Sequence, residues 1–178
     1  MNWKEQQFYQ SRKKKTLELM KAANIEKAFD LGDDSPMRKY LQENGFHLSN
    51  LPGGKDLNKV NFSSNWQWEN FSTSTFTAFE VLEHIFSPYH LLISAQPEKI
   101  ICTVPLKIPF VPIHWSSDKR DRHYHEFEEK QFIWMLEEAG YQVVKKERWY
   151  YTGLPVGIRT ILRYLFPSWL AVIAIRKY

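Results

Sequence analysis

Residues 75–88 read TFTAFEVLEHIFSP, and this stretch changes character halfway along its length. Its first five residues are aromatic, β-branched or small, a composition typical of a β-strand. From about Val81 the apolar residues are spaced for a helix, and Pro88 either ends that helix or opens the next one. A strand that leads directly into a helix is the repeating unit of α/β folds, so this stretch predicts the fold class.

The same alternation continues on both sides of this stretch. Upstream we predict an entry helix over residues 3–23. A second helix is predicted to begin at Ser35-Pro36, where a serine at the N-cap precedes a proline at the first helical position, and to end at Asn44-Gly45. The remaining predicted elements are strands at 25–32, 46–51, 99–104, 141–144 and 169–175 and a helix at 126–139. This rhythm predicts an α/β fold with a mostly parallel sheet.

The composition is that of an ordinary globular domain. A chain of 178 residues fits one domain, and 43% hydrophobic with 25% charged residues excludes a disordered protein. A lone cysteine, Cys102, excludes both an intrachain disulfide and the paired-cysteine zinc and redox motifs. The net charge of +4 permits acidic partners without requiring them.

Apolar segments for secretion or membrane insertion are not expected from the sequence. The first residues, MNWKEQQ, do not form the apolar run of a signal peptide. No stretch approaches the roughly 18 consecutive apolar residues of a membrane-spanning helix. We therefore expect a cytoplasmic protein.

Open parallel sheets bind ligands at the carboxyl ends of their strands. In this chain the turns to search are those that follow Leu31, Leu51, Phe79 and Val104. No G-x-G-x-x-G motif occurs, which argues against a nicotinamide dinucleotide, and no H-E-x-x-H motif supports a zinc hydrolase. Basic residues do not cluster with aromatic ones as in a nucleic-acid-binding module, so we expect no nucleic-acid partner.

Four segments carry a resemblance to a known family. Residues 79–85, FEVLEHI, are similar to an E-x-L-E-H segment, and ICTVP at 101–105, DRHYHEF at 121–127 and MLEEAGY at 135–141 follow in the matching order and spacing. In these segments the chain resembles the class I S-adenosylmethionine-dependent methyltransferases that act on small molecules.

The resemblance implies a fold and a domain plan. The fold would be a Rossmann-like, doubly wound, mostly parallel sheet with a C-terminal antiparallel strand pair. Residues 1–178 would form a single methyltransferase-like domain, with an N-terminal helix at 1–24 and a cap-like insertion at 153–168 between the last two strands.

The sequence departs from the family pattern in its cofactor half. The glycine-rich turn, DLGDDSP at 30–36, keeps the acid and the first glycine and loses two glycines. The acid expected after the second strand falls on Pro52, so Asp56 would stand in for it. Phe76 lies only 25 positions after Leu51, whereas a βαβ unit needs about 30 residues. The sheet is therefore expected to be shortened in the region 52–75, with one α/β unit reduced or lost.

The resemblance also implies a site for S-adenosyl-L-methionine and a small-molecule acceptor. Methyl transfer mainly requires alignment of the reacting atoms, and a base is needed only when the acceptor must lose a proton. The cofactor residues would be Asp30, Gly32, Asp33, Asp56, Phe79 and Glu80. The catalytic residues would be His84, His123 and His125. The substrate-binding residues would be His114, Arg122 and Tyr124. The simpler alternative for the segment 121–123 is a structural loop network that anchors the next helix.

The same segment raises the question of a bound divalent cation. Glu80, Glu83 and His84 are spaced to share one face of a helix. Quinone-pathway O-methyltransferases that this segment resembles use such a trio for a cation. The alternative is that Glu80 faces the cofactor while Glu83 stabilises the helix N-terminus. We predict no resident metal and leave the cation as an open possibility.

Residues 153–170 could cover the acceptor. Arg159 and Arg163 stand opposite an apolar stripe at helical spacing, and such a cap suits a lipid-like or acidic acceptor or a membrane interface. A helix packed on the sheet is the simpler alternative. The stripe consists of Ile158, Ile161, Leu162, Leu165 and Phe166.

Two functions follow from these observations. The first is methyl transfer from S-adenosylmethionine to a small molecule. The second is a catalytically inactive binding or scaffold module, motivated by the altered glycine turn and the short middle segment.

Overall fold

The computed structural model describes residues 3–32, 35–50, 57–59, 74–113, 115–151 and 158–177. Its helices are α1 (Trp3–Ala22), α2 (Pro36–Glu43), α3 (Pro88–Ala95), α4 (Glu129–Glu138) and α5 (Ile158–Leu165). Its strands are β1 (Lys27–Asp30), β2 (His47–Asn50), β3 (Thr75–Phe79), β4 (Lys99–Pro105), β5 (Tyr141–Trp149) and β6 (Trp169–Arg176).

The strands form one sheet in the order β2-β1-β3-β4-β6-β5. The pairs β1·β2, β1·β3 and β3·β4 are parallel, whereas β6 runs antiparallel to both β4 and β5. The predicted α/β fold, with a mostly parallel sheet and a C-terminal antiparallel strand pair, is confirmed. Since every parallel strand ends at the same edge, the turns after β1, β3 and β4 come together there.

Helices cover both faces of the sheet. On β4, Ile100, Cys102 and Val104 belong to a buried cluster that contains residues of α3 and α4, whereas Ile101 belongs to a second cluster with residues of α1 and α2. Successive residues of a strand point to opposite faces, so this alternation places the two helix pairs on opposite sides. The result is the doubly wound, three-layer arrangement that the resemblance implies.

The capping residues of α2 behave as the sequence predicts. The Ser35 hydroxyl accepts a hydrogen bond from the Arg38 backbone N–H at 3.2 Å, and Pro36 occupies the first turn. The helix ends at Asn44, and Gly45 follows with a φ of +93°, a conformation that favours glycine.

The helix predicted from about Val81 is wrong. The chain forms a single 3-10 turn at Leu82–His84, Ile85 is extended, and α3 begins separately at Pro88. A proline disfavours helical geometry in the residue before it and lacks the backbone donor that a continuing helix needs. Glu80 has a φ of +58° and lies before the turn, so Glu80, Glu83 and His84 do not share a helix face.

Two further boundaries differ from the sequence-based expectation. Helix α4 begins at Glu129 rather than at residue 126, because Phe127 forms an isolated β-bridge with Leu106. Strand β5 extends to Trp149, well beyond the predicted end at residue 144, and its side chains alternate between exposed and more buried positions. Within the described residues, no helix has the length and apolar character needed to cross a membrane.

Among the described residues, β2 forms one edge of the sheet and β5 the other. The Leu48 carbonyl accepts hydrogen bonds from Arg38 Nη2 at 3.1 Å and from Gln42 Nε2 at 3.0 Å. Side chains of α2 therefore occupy an acceptor that a neighbouring strand would otherwise use. The predicted shortening at 52–75 falls mostly outside the described residues.

Candidate functional site

The turn after β1 is fixed to the neighbouring strand β3. Asp30 ends β1 and is only 4% exposed, and its Oδ1 accepts hydrogen bonds from Thr77 Oγ1 at 2.9 Å and from the Gly32 backbone N–H at 3.4 Å. The Leu31 backbone N–H donates to the Thr77 carbonyl at 2.8 Å. The acid of the degenerate glycine turn thus organises the turn itself.

Burial governs the protonation of Asp30. It raises the pKa of this carboxyl to about 6, against the lowering effects of the bonds from Thr77 and Gly32 and of the positive charge of Arg38. The site therefore contains a carboxyl group that changes charge close to neutral pH.

Glu80 joins three strands at the same edge. Its backbone N–H donates to the Thr103 carbonyl at 3.0 Å, and its carboxylate accepts from Trp169 Nε1 at 2.7 Å and from Thr103 Oγ1 at 3.1 Å. Arg12 of α1 lies 3.7 Å from the same carboxylate and 5.5 Å from the centre of a Trp169 ring. Glu80 therefore connects the ends of β3, β4 and β6 with the entry helix.

Glu83, His84 and His123 form a compact group of ionisable side chains at the site. One potential ligand atom from each lies within 4.8 Å of the other two. The rings of His84 and His123 meet edge to face with centroids 4.8 Å apart, and His84 Nε2 is 3.8 Å from Glu83 Oε1. His84 Nδ1 is 3.0 Å from the Arg122 carbonyl, a contact that places a proton on Nδ1 and leaves Nε2 as an acceptor.

The Glu83 carboxyl group is fully buried. Neither of its oxygens has a hydrogen-bond partner among the described residues. Burial, reinforced by the negative charge of Glu80, raises the pKa of Glu83 well above its usual range. A buried carboxyl with both oxygens unsatisfied is costly unless it is protonated or holds a cation.

Backbone contacts bring these side chains together. The backbone N–H groups of Tyr124 and His125 both donate to the Glu83 carbonyl, at 2.8 and 3.2 Å. Asn58 donates from Nδ2 to the His84 carbonyl at 2.9 Å and accepts from the Phe86 backbone N–H at 2.6 Å. The loop that follows β4 is therefore held against the turn that follows β3.

The structure separates the three predicted catalytic histidines. His84 and His123 lie together, whereas His125 Nε2 is 2.8 Å from the Ile85 carbonyl and its ring stacks on Phe127. This contact makes Nε2 of His125 a donor to the backbone, so that His125 anchors the loop. Three predicted site residues, Asp33, Asp56 and His114, lie outside the described residues.

The other predicted residues have contacts of their own. Arg122 donates from Nε to the Ser116 carbonyl at 2.8 Å and lies over the Trp115 ring at 4.4 Å. The Tyr124 ring packs against the Phe86 ring at an interplanar angle of 34°, with ring centroids 3.9 Å apart. Phe79, at the end of β3, is half-buried against the α1–α2 side of the core.

Sequence reasoning missed the partners of Asp30 and Glu80. In the sequence Thr77 and Thr103 are strand residues that belong to no motif, and Trp169 is the first residue of a predicted strand. A polar residue near the carboxyl end of a central strand was the available signal for the two threonines. Nothing local indicates that Trp169 reaches Glu80, which is 89 positions away in the sequence.

A pocket opens beside this edge. It includes His123 from the histidine pair and Trp169 from the Glu80 contacts, so it adjoins both parts of the site. Its lining residues are Pro105, Leu106, Ile108, Val111, Pro112, His123, Glu126, Arg163, Ser168 and Trp169.

Comparisons with known proteins identify the fold through structure rather than sequence. No protein-family model matches the chain, and no curated protein matches its sequence. Among solved structures, the methyltransferase domain of bacterial CtHen1 is similar at 15% identity with a TM-score of 0.56, covering 94% of this chain and 99% of that one.

Two other solved structures are similar over most of the chain. One is magnesium protoporphyrin IX methyltransferase from Synechocystis, solved with bound S-adenosylhomocysteine, with a TM-score of 0.55 at 10% identity. The similarity covers 99% of this chain and 89% of that one. The [4+2]-cyclase SpnF has a TM-score of 0.55 at 11% identity, covering 94% and 82%. The chain therefore has the Rossmann-like fold of the class I S-adenosylmethionine-dependent methyltransferases.

Proposed function

We propose that this protein is an S-adenosylmethionine-dependent methyltransferase that acts on a small molecule. The observation that carries the proposal is the meeting of Asp30, Glu80 and the His84–His123 pair at the carboxyl edge of the parallel strands. Ligands of open α/β sheets bind at this edge. Because one fold can support unrelated chemistries, these side chains support the proposal more directly than the fold does.

The cofactor would lie over the turns after β1 and β3. At Gly32 an added Cβ would lie 3.5 Å from Asp30 Oδ2 and 3.6 Å from Val81 Cγ2, which are ordinary van der Waals distances. Asp30, Gly32, Phe79 and Glu80 would hold the cofactor, together with Asp33 and Asp56. When bound, S-adenosylmethionine supplies an activated methyl group on a positively charged sulfur. The carboxylates of Asp30 and Glu80 would complement that charge.

His123 is the residue best placed to accept a proton from the acceptor. It lines the pocket and contacts the His84 ring edge to face. His84 is oriented by its contact with the Arg122 carbonyl, so it acts as the positioning residue of the pair. Arg122 and Tyr124 do not line this pocket, so they, together with His114, would contact only a part of the acceptor that extends beyond it.

A divalent cation would be the second ligand of this site. The residues that would hold it are Glu83, His84 and His123, rather than the trio of Glu80, Glu83 and His84 that the sequence left as an open possibility. The unsatisfied oxygens of Glu83 fit this role. A cation bound there would polarise an acceptor oxygen and help it to lose a proton.

Calorimetric titration with S-adenosylmethionine and S-adenosylhomocysteine, with and without magnesium, tests this proposal. We expect micromolar binding, about −8 kcal/mol. Glu80→Gln should weaken the binding, and the matched variant Glu98→Gln, remote from this turn, should not. No heat under any condition would favour the alternative of an inactive binding or scaffold module.

A further inference from the structure

We infer that the acceptor is an amphipathic acid, with an apolar body, an anionic group and a hydroxyl or amine that receives the methyl group. This inference rests on the proposed function and concerns the pocket between the loop after β4 and helix α5. The pocket adjoins the cofactor edge through Trp169, whose Nε1 donates to Glu80. A molecule in it would therefore lie next to the proposed position of the cofactor.

The apolar body is indicated by the loop wall of the pocket. Half of the lining residues are apolar and come from one short segment, 105–112. This segment is held in place at its start, where the Leu106 backbone N–H donates to the Ser168 carbonyl and the Lys107 N–H to the Phe127 carbonyl, both at 2.9 Å. A fixed apolar wall favours a ligand with matching apolar surface.

One exposed apolar side chain belongs to the same segment as this wall. Phe110 lies between the lining residues Ile108 and Val111 and is 96% exposed, with a φ of +63°. An acceptor whose apolar body runs out of the pocket along this segment would cover the Phe110 ring. The acceptor is thus expected to extend beyond the pocket as a chain or a ring.

The anionic group is indicated by Arg163 of α5. Its guanidinium group stays charged at every relevant pH and presents a planar set of donors that matches a carboxylate or a phosphate. It is half-buried in the pocket wall, where its charge is less screened than on an open surface. An anionic end of the acceptor would bind there.

The group that receives methyl is indicated by the two other ionisable residues of the pocket. His123 and Glu126 both offer acceptor atoms, which suits a hydroxyl or amine that donates a hydrogen bond. Glu126 would repel an anion, so the anionic end is directed to Arg163 and the protic end to this pair. The pocket therefore distinguishes the two ends of an amphipathic acid.

The test uses three twelve-carbon probes whose binding to the full chain is followed by tryptophan fluorescence. 12-Hydroxydodecanoate has both polar ends, 1,12-dodecanediol lacks the anion, and dodecanoate lacks the hydroxyl. We expect the hydroxy acid to bind about tenfold more tightly than the diol, a difference of about 1.4 kcal/mol. We also expect it to bind more tightly than dodecanoate.

Variants assign that discrimination to one side chain. Arg163→Gln should abolish the preference for the hydroxy acid over the diol, whereas Arg163→Lys and the matched surface variant Arg148→Gln should retain it. Equal binding of hydroxy acid and diol by the unmodified chain, or an unchanged preference in Arg163→Gln, would overturn the inference. Cofactor binding is measured in a separate experiment. If the chain binds the cofactor but does not distinguish the probes, only the inference about the acceptor is refuted. If it distinguishes the probes but does not bind the cofactor, only the proposal of methyl transfer is refuted.

Discussion

Replacing Asp30 by asparagine should stabilise the protein at neutral pH. The carboxyl group is buried, and its pKa is raised to about 6 from an ordinary value of 3.8. Because the folded protein holds this proton more tightly than the unfolded chain does, ionisation of Asp30 opposes folding. The penalty is absent below pH 3.8, grows between pH 3.8 and 6, and is fully present above pH 6.

The magnitude follows from the size of the shift. A difference of about 2.2 pH units corresponds to about 3 kcal/mol at pH 7.5 and to about 1.6 kcal/mol at pH 5, both as upper values. Asparagine keeps an oxygen at the Oδ1 position, so the hydrogen bonds from Thr77 and Gly32 can persist. Asp30→Asn should therefore raise the free energy of unfolding more at pH 7.5 than at pH 5.

Urea unfolding followed by tryptophan fluorescence at the two pH values measures this effect. The matched control is Glu137→Gln, which neutralises an exposed carboxylate of α4 and should change the free energy of unfolding by less than about 0.5 kcal/mol. A loss of stability in Asp30→Asn at pH 7.5, or a gain that does not depend on pH, would refute the reasoning.

Three further substitutions test the packing of the site and its supports by urea unfolding. Trp169→Phe removes the hydrogen-bond donor to Glu80 and should lower the free energy of unfolding by about 1–3 kcal/mol. The control Trp134→Phe, on the exposed face of α4, should lower it by less than about 0.5 kcal/mol. Equal losses would contradict the contact between Trp169 and Glu80. Ser35→Ala removes the N-cap of α2 and should cost about 1 kcal/mol, with restoration by Ser35→Asp as the check. Leu136→Ala opens a cavity in the core and should cost about 2–5 kcal/mol; a smaller loss would mean that the α4 face is not tightly packed.

The sequence predicts the parts of the fold that local chemistry determines. Ser35-Pro36 and Gly45 mark both ends of α2, because capping and φ preferences act within a few residues. The central strands are predictable because a parallel strand buried on both faces forms a short run of β-branched and aromatic residues, as Lys99–Pro105 does apart from its ends.

The remaining parts depend on contacts that no local pattern carries. A spacing of i, i+3, i+4 at Glu80, Glu83 and His84 suits a helix, yet the approach to Pro88 leaves a single turn there. In the group of side chains that could hold a cation, His123 therefore takes the place of Glu80. His123 belongs to a loop and lies 39 residues beyond His84 in the sequence. Pairs of side chains that meet across the strand ends are visible only once the register of the sheet is known.

Hydrogen–deuterium exchange of the chain with and without S-adenosylhomocysteine tests the central claim most directly, because it reports both binding and its position. The account predicts slower exchange of backbone amides in the segments after β1 and β3, residues 30–32 and 79–84, and no change along β5, Tyr141–Trp149. Unchanged exchange throughout, or protection confined to regions away from the carboxyl edge of the sheet, would contradict it.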